Sequence, residues 1–126
     1  MILNILKLSL IFSALDFVYL FSMSNKFQNM IKKIQGSDLQ MNIIPTIFCY
    51  FFLIFLLYYF IVHKKQTVLD AFLLGLGVYG VYETTNLAIF KKWEPMVGIV
   101  DTLWGGILFS LSYYLYLRFF NTISRN

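Results

Sequence analysis

The sequence predicts an all-α polytopic membrane protein: four transmembrane helices in an antiparallel bundle, with a short interfacial amphipathic helix between the first two. Three observations predict it. Apolar runs of about 20 residues, the length needed to cross a hydrocarbon core, recur four times. Most of the lysines fall in or beside the connections between those runs. A content of 60% apolar and 13% charged residues, in a chain of 126, is a balance that no small water-soluble domain needs. The mean hydropathy of +0.73 agrees. By length the chain is one domain, residues 1–126.

The first span covers about 5–23. Ser22 and Ser24 stand at the separation of a signal-peptide cleavage site, but Asp16 is out of place in such a peptide and the apolar run is too long for one. Residues 24–42 follow, rich in Lys, Gln and Asn. Within them Phe27, Met30, Ile31 and Ile34 recur at helical spacing, which predicts the interfacial helix, ending at Gly36-Ser37.

The second span, about 43–62, is nearly uncharged. Pro45 lies in its first turn, where proline is tolerated, and the single cysteine, Cys49, reads as a small apolar residue. A tight turn, His63 to Gln66, leads to the third span, about 67–90. Asp70, one turn into it, is expected to pair with Arg118 or Lys7. A second tight turn, Lys91 to Glu94, leads to the fourth span, about 95–117, which Pro95 is well placed to open; Trp93 reads as an interfacial anchor.

The net charge of +4 does not point to nucleic acid. Lys26, Lys32, Lys33, Lys64, Lys65, Lys91, Lys92, Arg118 and Arg125 sit where lipid headgroups would meet them, so the expected partner is the bilayer of an integral, multi-pass protein. Five basic residues fall on each side of the membrane, which leaves the cytoplasmic face unassigned.

An ionisable residue at a helix centre costs about 2.5–3.5 kcal/mol on insertion scales, so it calls for a partner, a water-filled cavity or a function. Asp16 lies eight residues before Ser24, Glu83 seven before Phe90 and Asp101 seven after Glu94. The chain reverses with each span, so all three distances run from one membrane face, and all three acids sit roughly 10–12 Å below it. Residues three and four apart share a helix face, which groups Tyr79, Glu83, Asn86 and Phe90, then Asp101, Trp104, Gly105 and Leu108, then Ser9, Ser13, Asp16 and Leu20. Gly75, Gly77, Gly80, Gly105 and Gly106 would let backbones approach closely.

The expected site is a pocket lined by Asp16, Tyr79, Tyr82, Glu83, Asn86, Asp101 and Trp104, open toward the face of the first and third connections. Three acids in a low-dielectric site cannot all stay ionised, so the group is expected to hold a proton or a cation and to titrate as a unit. No glycine-rich phosphate loop, Ser/His/Asp arrangement or Cys/His metal motif occurs, and neither a cofactor nor a metal is named by the sequence.

The segments Leu15-Asp16, Tyr79-Gly80-Val81-Tyr82-Glu83-Thr84-Thr85-Asn86 and Asp101-Thr102-Leu103-Trp104-Gly105 resemble the small bacterial and viral membrane proteins grouped as domain of unknown function 2177, over nearly the whole chain. Glu83 stands where that family usually has Asp, and Tyr19 where an aromatic residue, commonly Trp, follows the first acid. The resemblance implies the membrane fold and marks these residues, and it supplies no reaction.

Three functions compete. A carrier or binding protein would take up a proton, a cation or a small amphiphilic ligand, and with so few spans would act as a homodimer. An intramembrane enzyme would use the acids for acid–base chemistry on a lipid-like substrate. A structural or partner-binding subunit would use them as interhelical hydrogen bonds.

Overall fold

The computed structural model describes residues 2–37 and 42–121. It is all-helical: α1 (Ile2–Gln35), α2 (Ile43–Leu57), α3 (Val68–Ile89) and α4 (Pro95–Tyr116). Two of these end in a wider π turn, Tyr58–Val62 after α2 and Leu117–Asn121 after α4. Three stretches are long and apolar enough to cross a membrane: α1, Ile43–Val62 and Pro95–Phe120. The helix α3 has 22 residues, but its glycines, tyrosines and two acids leave it less apolar.

The short interfacial helix expected between the first two spans is not separate. Its residues are the C-terminal arm of α1, which runs unbroken through Ser22, Ser24 and Lys26. The polar residues do not break the helix because the Ser22 hydroxyl donates to the Val18 carbonyl and that of Ser24 to the Phe21 carbonyl. The arm stops where the sequence said it would. Gly36 has φ +78, a left-handed conformation that suits glycine, and its N–H donates to the Lys32 carbonyl. At 1.5 Å per residue α1 is about 51 Å long, against a hydrocarbon thickness of about 30 Å, so its arm extends well past the apolar layer. Residues 38–41 of the connection, and Arg125, lie outside the described residues.

The arm does not lie idle. Met30, 1% exposed, packs with Trp93 and Val97, flanked by Phe27, Ile31 and Ile34. The Lys92 ammonium donates to the Lys33 carbonyl at 3.2 Å, and the Glu94 N–H donates to the Met30 sulfur at 3.4 Å. The first and third connections are therefore joined at one end of the bundle.

The main core lies toward the other end, around Leu8 and Phe12 of α1, Ile54 and Leu57 of α2, Ala71 of α3, and Leu108, Phe109 and Tyr113 of α4. The Phe12 ring meets the rings of Phe109 and Tyr50 edge-on. Thus the buried stripe of α1 is Leu8, Phe12 and Asp16, whereas Ser13 and Leu20 are exposed. The expected stripe holds at Asp16 and is one residue off at Ser9 and Ser13, which stand next to the buried Leu8 and Phe12; the Ser9 hydroxyl donates within its own helix, to the Ile5 carbonyl.

The helices α3 and α4 approach at glycine. A Cβ on Gly75 would stand 2.1 Å from the Gly105 carbonyl oxygen, and Gly105 itself lies under the Tyr79 ring. Gly77 faces open space, so only part of the expected glycine set serves close packing.

Asp70 closes a helix end. Its carboxylate accepts the Thr67 N–H while the Thr67 hydroxyl accepts the Asp70 N–H, a reciprocal capping box that opens α3. Lys7, one of its expected partners, stands over the Phe120 ring. Thr67→Ala should lower stability by about 1 kcal/mol, measured by reversible unfolding in detergent, and Thr67→Ser should keep most of it.

Candidate functional site

The third- and fourth-span stripes fold as the sequence spacing requires. On α3, Glu83 and Asn86 point inward one turn apart; on α4, Asp101, Gly105 and Leu108 do so, with Trp104 half-buried beside them. Across from them, Asp16 of α1 is buried. Asp101 neighbours both other acids: Glu83 lies within side-chain contact of it, and Asp16 senses its charge. The three form a row, Asp16, Asp101, Glu83. They do not converge on one point, and among the described residues no three His, Cys, Asp or Glu side chains are placed to hold a metal ion.

Aromatic donors hold each member of the row. Asp16 accepts from the Tyr50 hydroxyl on α2 and from the Trp104 indole N–H at 3.0 Å. Asp101 accepts from the Tyr19 hydroxyl at 3.0 Å, and Glu83 from the Trp93 indole N–H at 2.7 Å. The Tyr19 and Trp104 rings stack at 4.6 Å with 6° between their planes, so one stacked pair presents a donor to each of two acids.

Not every buried polar atom is satisfied. The second oxygen of Glu83 and the amide nitrogen of Asn86 are buried and make no well-formed hydrogen bond among the described residues, although the Asp101 carboxyl lies against Glu83 and the Tyr82 hydroxyl against Asn86. One is an acceptor and the other a donor, a helical turn apart. Leaving such groups unpaired costs about 1–3 kcal/mol each, so they mark a place where a proton, a water or a small polar ligand would be stabilised.

Of the residues expected to line the site, Asp16, Tyr79, Glu83, Asn86, Asp101 and Trp104 lie along the row. Tyr79 lies half-buried, its ring over Gly105 and near Asp16 and Asp101. Tyr82 stands at the site's margin, its hydroxyl beside the Asn86 side chain. It is 55% exposed, one residue before Glu83 and four before Asn86, and its ring meets Trp93 edge-on. The expected opening toward the first and third connections is also corrected: Trp93, 6% exposed, and Met30 cover Glu83, which is itself 1% exposed.

Sequence reasoning missed three donors. Tyr19 carried a signal, since it stands three residues from Asp16 on the same face. Trp93 looked like an interfacial anchor because two lysines precede it, and only the α1 arm buries it. Tyr50 gave no signal inside an aromatic-rich apolar span. Trp93→Phe keeps the packing and removes the indole donor from Glu83. It should cost about 1–3 kcal/mol in detergent unfolding, and Glu83→Gln in the same background should recover part of that loss.

The geometry defines a polytopic helical membrane protein with buried carboxyls held by aromatic donors. The model of the DUF2177 family, described as predicted membrane proteins, matches residues 1–116, and the chain belongs to that family. No curated protein matches it significantly, and neither does any solved structure.

Proposed function

We propose that the row Asp16, Asp101, Glu83 is a proton-uptake site inside the membrane, used to bind or carry a proton or a cation coupled to it. The observation that carries this reading is the contact of two buried carboxyls, Asp101 and Glu83, with one Glu83 oxygen that no donor reaches. The described neighbours acting on Asp16 and Asp101 are phenol and indole groups and other carboxyls. Carboxyls so placed are stabilised by sharing protons, since ionised oxygens only accept hydrogen bonds whereas a protonated one also donates. The row's failure to converge disfavours a chelated divalent metal and suits stepwise proton transfer. Asn86 and Trp104 would orient a small polar or amphiphilic ligand beside it.

In this reading α3 also spans, which brings the spans to four: at 1.5 Å per residue it is about 33 Å long, enough to cross, and the four helices alternate in direction. A carrier of this size would work as a homodimer.

The test is proton flux in liposomes of phosphatidylcholine with an internal pH-sensitive dye. Glu83→Gln, nearly isosteric, should slow flux by about tenfold or more while the protein still inserts and unfolds as the wild type does. Unchanged flux in that variant would exclude the row from proton movement.

A further inference from the structure

At the end of the bundle away from the acid row there is a cavity of about 330 Å³, near the lower bound of ligand pockets. The α2 π turn supplies Tyr58, the turn after it His63, Lys65 and Gln66, the start of α1 Asn4, and the α4 π turn Leu117. Three features meet there. Both π turns among the described residues border the cavity, and widened turns of this kind are frequent at functional sites. Lys65 is the one described residue other than glycine with positive φ, at 55°. It is the left-handed residue that stops α2 and its π turn, a place glycine usually takes, so a lysine there carries a small backbone cost. The turn is also fastened. The Lys65 N–H donates to the Val62 carbonyl, the Gln66 N–H to the Ile61 carbonyl, and the Tyr113 hydroxyl to the Gln66 carbonyl.

The lining is chemically one-sided. It offers an ammonium, an imidazole, two carboxamides and phenol hydroxyls, and no carboxylate among its described residues. Lys64 beside it lies over the Tyr59 and Phe60 rings, adding positive charge without entering the cavity. The level is that of lipid headgroups, because Val62, on the wall, ends an apolar stretch long enough to span a membrane. Val62 and Leu117 give the cavity an apolar side as well.

We propose that this cavity binds a phosphate group, with Lys65 as its principal cationic contact and His63, Gln66 and Asn4 as further hydrogen-bonding groups. The volume and the apolar side suit the phosphodiester of an anionic lipid headgroup; free inorganic phosphate shares the chemistry.

The unfolding temperature of the purified full chain in a neutral maltoside detergent tests it, with added phosphatidylglycerol, phosphatidylcholine or inorganic phosphate. Phosphatidylglycerol should raise the wild-type unfolding temperature more than phosphatidylcholine does. Lys65→Gly should relieve the backbone strain and unfold at the same or a higher temperature without lipid, yet bind phosphatidylglycerol about tenfold more weakly or worse. Lys65→Gln should lose the response likewise, and Lys33→Gln, at the other end of the molecule, should keep it. Stabilisation by inorganic phosphate at Lys65-dependent strength would assign the site to the free ion, and a response to the lipid alone would assign it to a headgroup. A phosphatidylglycerol response that Lys65→Gly retains, or no preference over phosphatidylcholine, would overturn the proposal.

Discussion

Asp101→Asn is expected to abolish most of the proton flux while leaving the protein as stable as the wild type, or more stable by about 0.5–2 kcal/mol. The two effects have one origin. Asp101 stands between Asp16 and Glu83, in side-chain contact with Glu83. The asparagine amide has the same shape and can still accept from Tyr19, so the hydrogen bond now given to Asp101 is preserved. It removes a buried acid beside other acids, and its nitrogen can donate to Glu83, one oxygen of which now meets no donor. Functional sites commonly sacrifice stability in this way, and neutralising them returns it. The loss of flux should be about tenfold or more, and the double variant Asp101→Asn with Glu83→Gln should lose little beyond either alone, because both interrupt one path. Flux and unfolding free energy measured on the same preparations check this. A purely structural role for Asp101 predicts the opposite pairing, with stability lost and no specific effect on protons.

Gly75→Ala is the second large effect, and it concerns the frame that holds the row. The added methyl would meet the Gly105 carbonyl oxygen at 2.1 Å and the Phe109 ring at 2.7 Å. A side chain could rotate away, but the carbonyl belongs to the backbone of α4, so the two helices must separate. Overpacking of this kind costs about 1–3 kcal/mol, and here it also shifts α4, which carries Asp101 and Trp104. Gly77→Ala is the internal control. Its methyl meets nothing within 4 Å, and alanine favours a helix over glycine by about 1 kcal/mol, so this variant should be neutral or stabilised. Unfolding in detergent, with the Trp fluorescence of the folded state alongside, reads both.

Much of this arrangement was legible because membrane helices restrict what a sequence can do. The runs at 43–62, 67–90 and 95–117 fall on helices, since the turn residues Pro and Thr mark where helices begin, and the first and last of them are apolar enough to cross a membrane. The acids on α3 and α4 fell on the expected faces for the same reason. What the sequence could not supply was long-range pairing. Helical spacing places Tyr19, Tyr50 and Trp93 on their own helices but says nothing of which acid each will reach across the bundle. The α1 arm illustrates a second gap: residues 24–35 have the amphipathic pattern of an interfacial helix, and only the packing of Met30 on Trp93 and Val97 makes them a cover over the site. The phase of α1 slipped for a related reason, as serine hydroxyls that satisfy themselves on their own helix carry no information about the neighbouring one.

The most direct measurement is the infrared spectrum of the carboxyl groups as a function of pH, in the wild type and in Asp16→Asn, Glu83→Gln and Asp101→Asn. A shared-proton row predicts a protonated-carboxyl band that persists near neutral pH, titrates in coupled steps, and is shifted by each of the three substitutions. Three carboxyls that titrate independently near their solution values, each substitution removing only its own band, would contradict it.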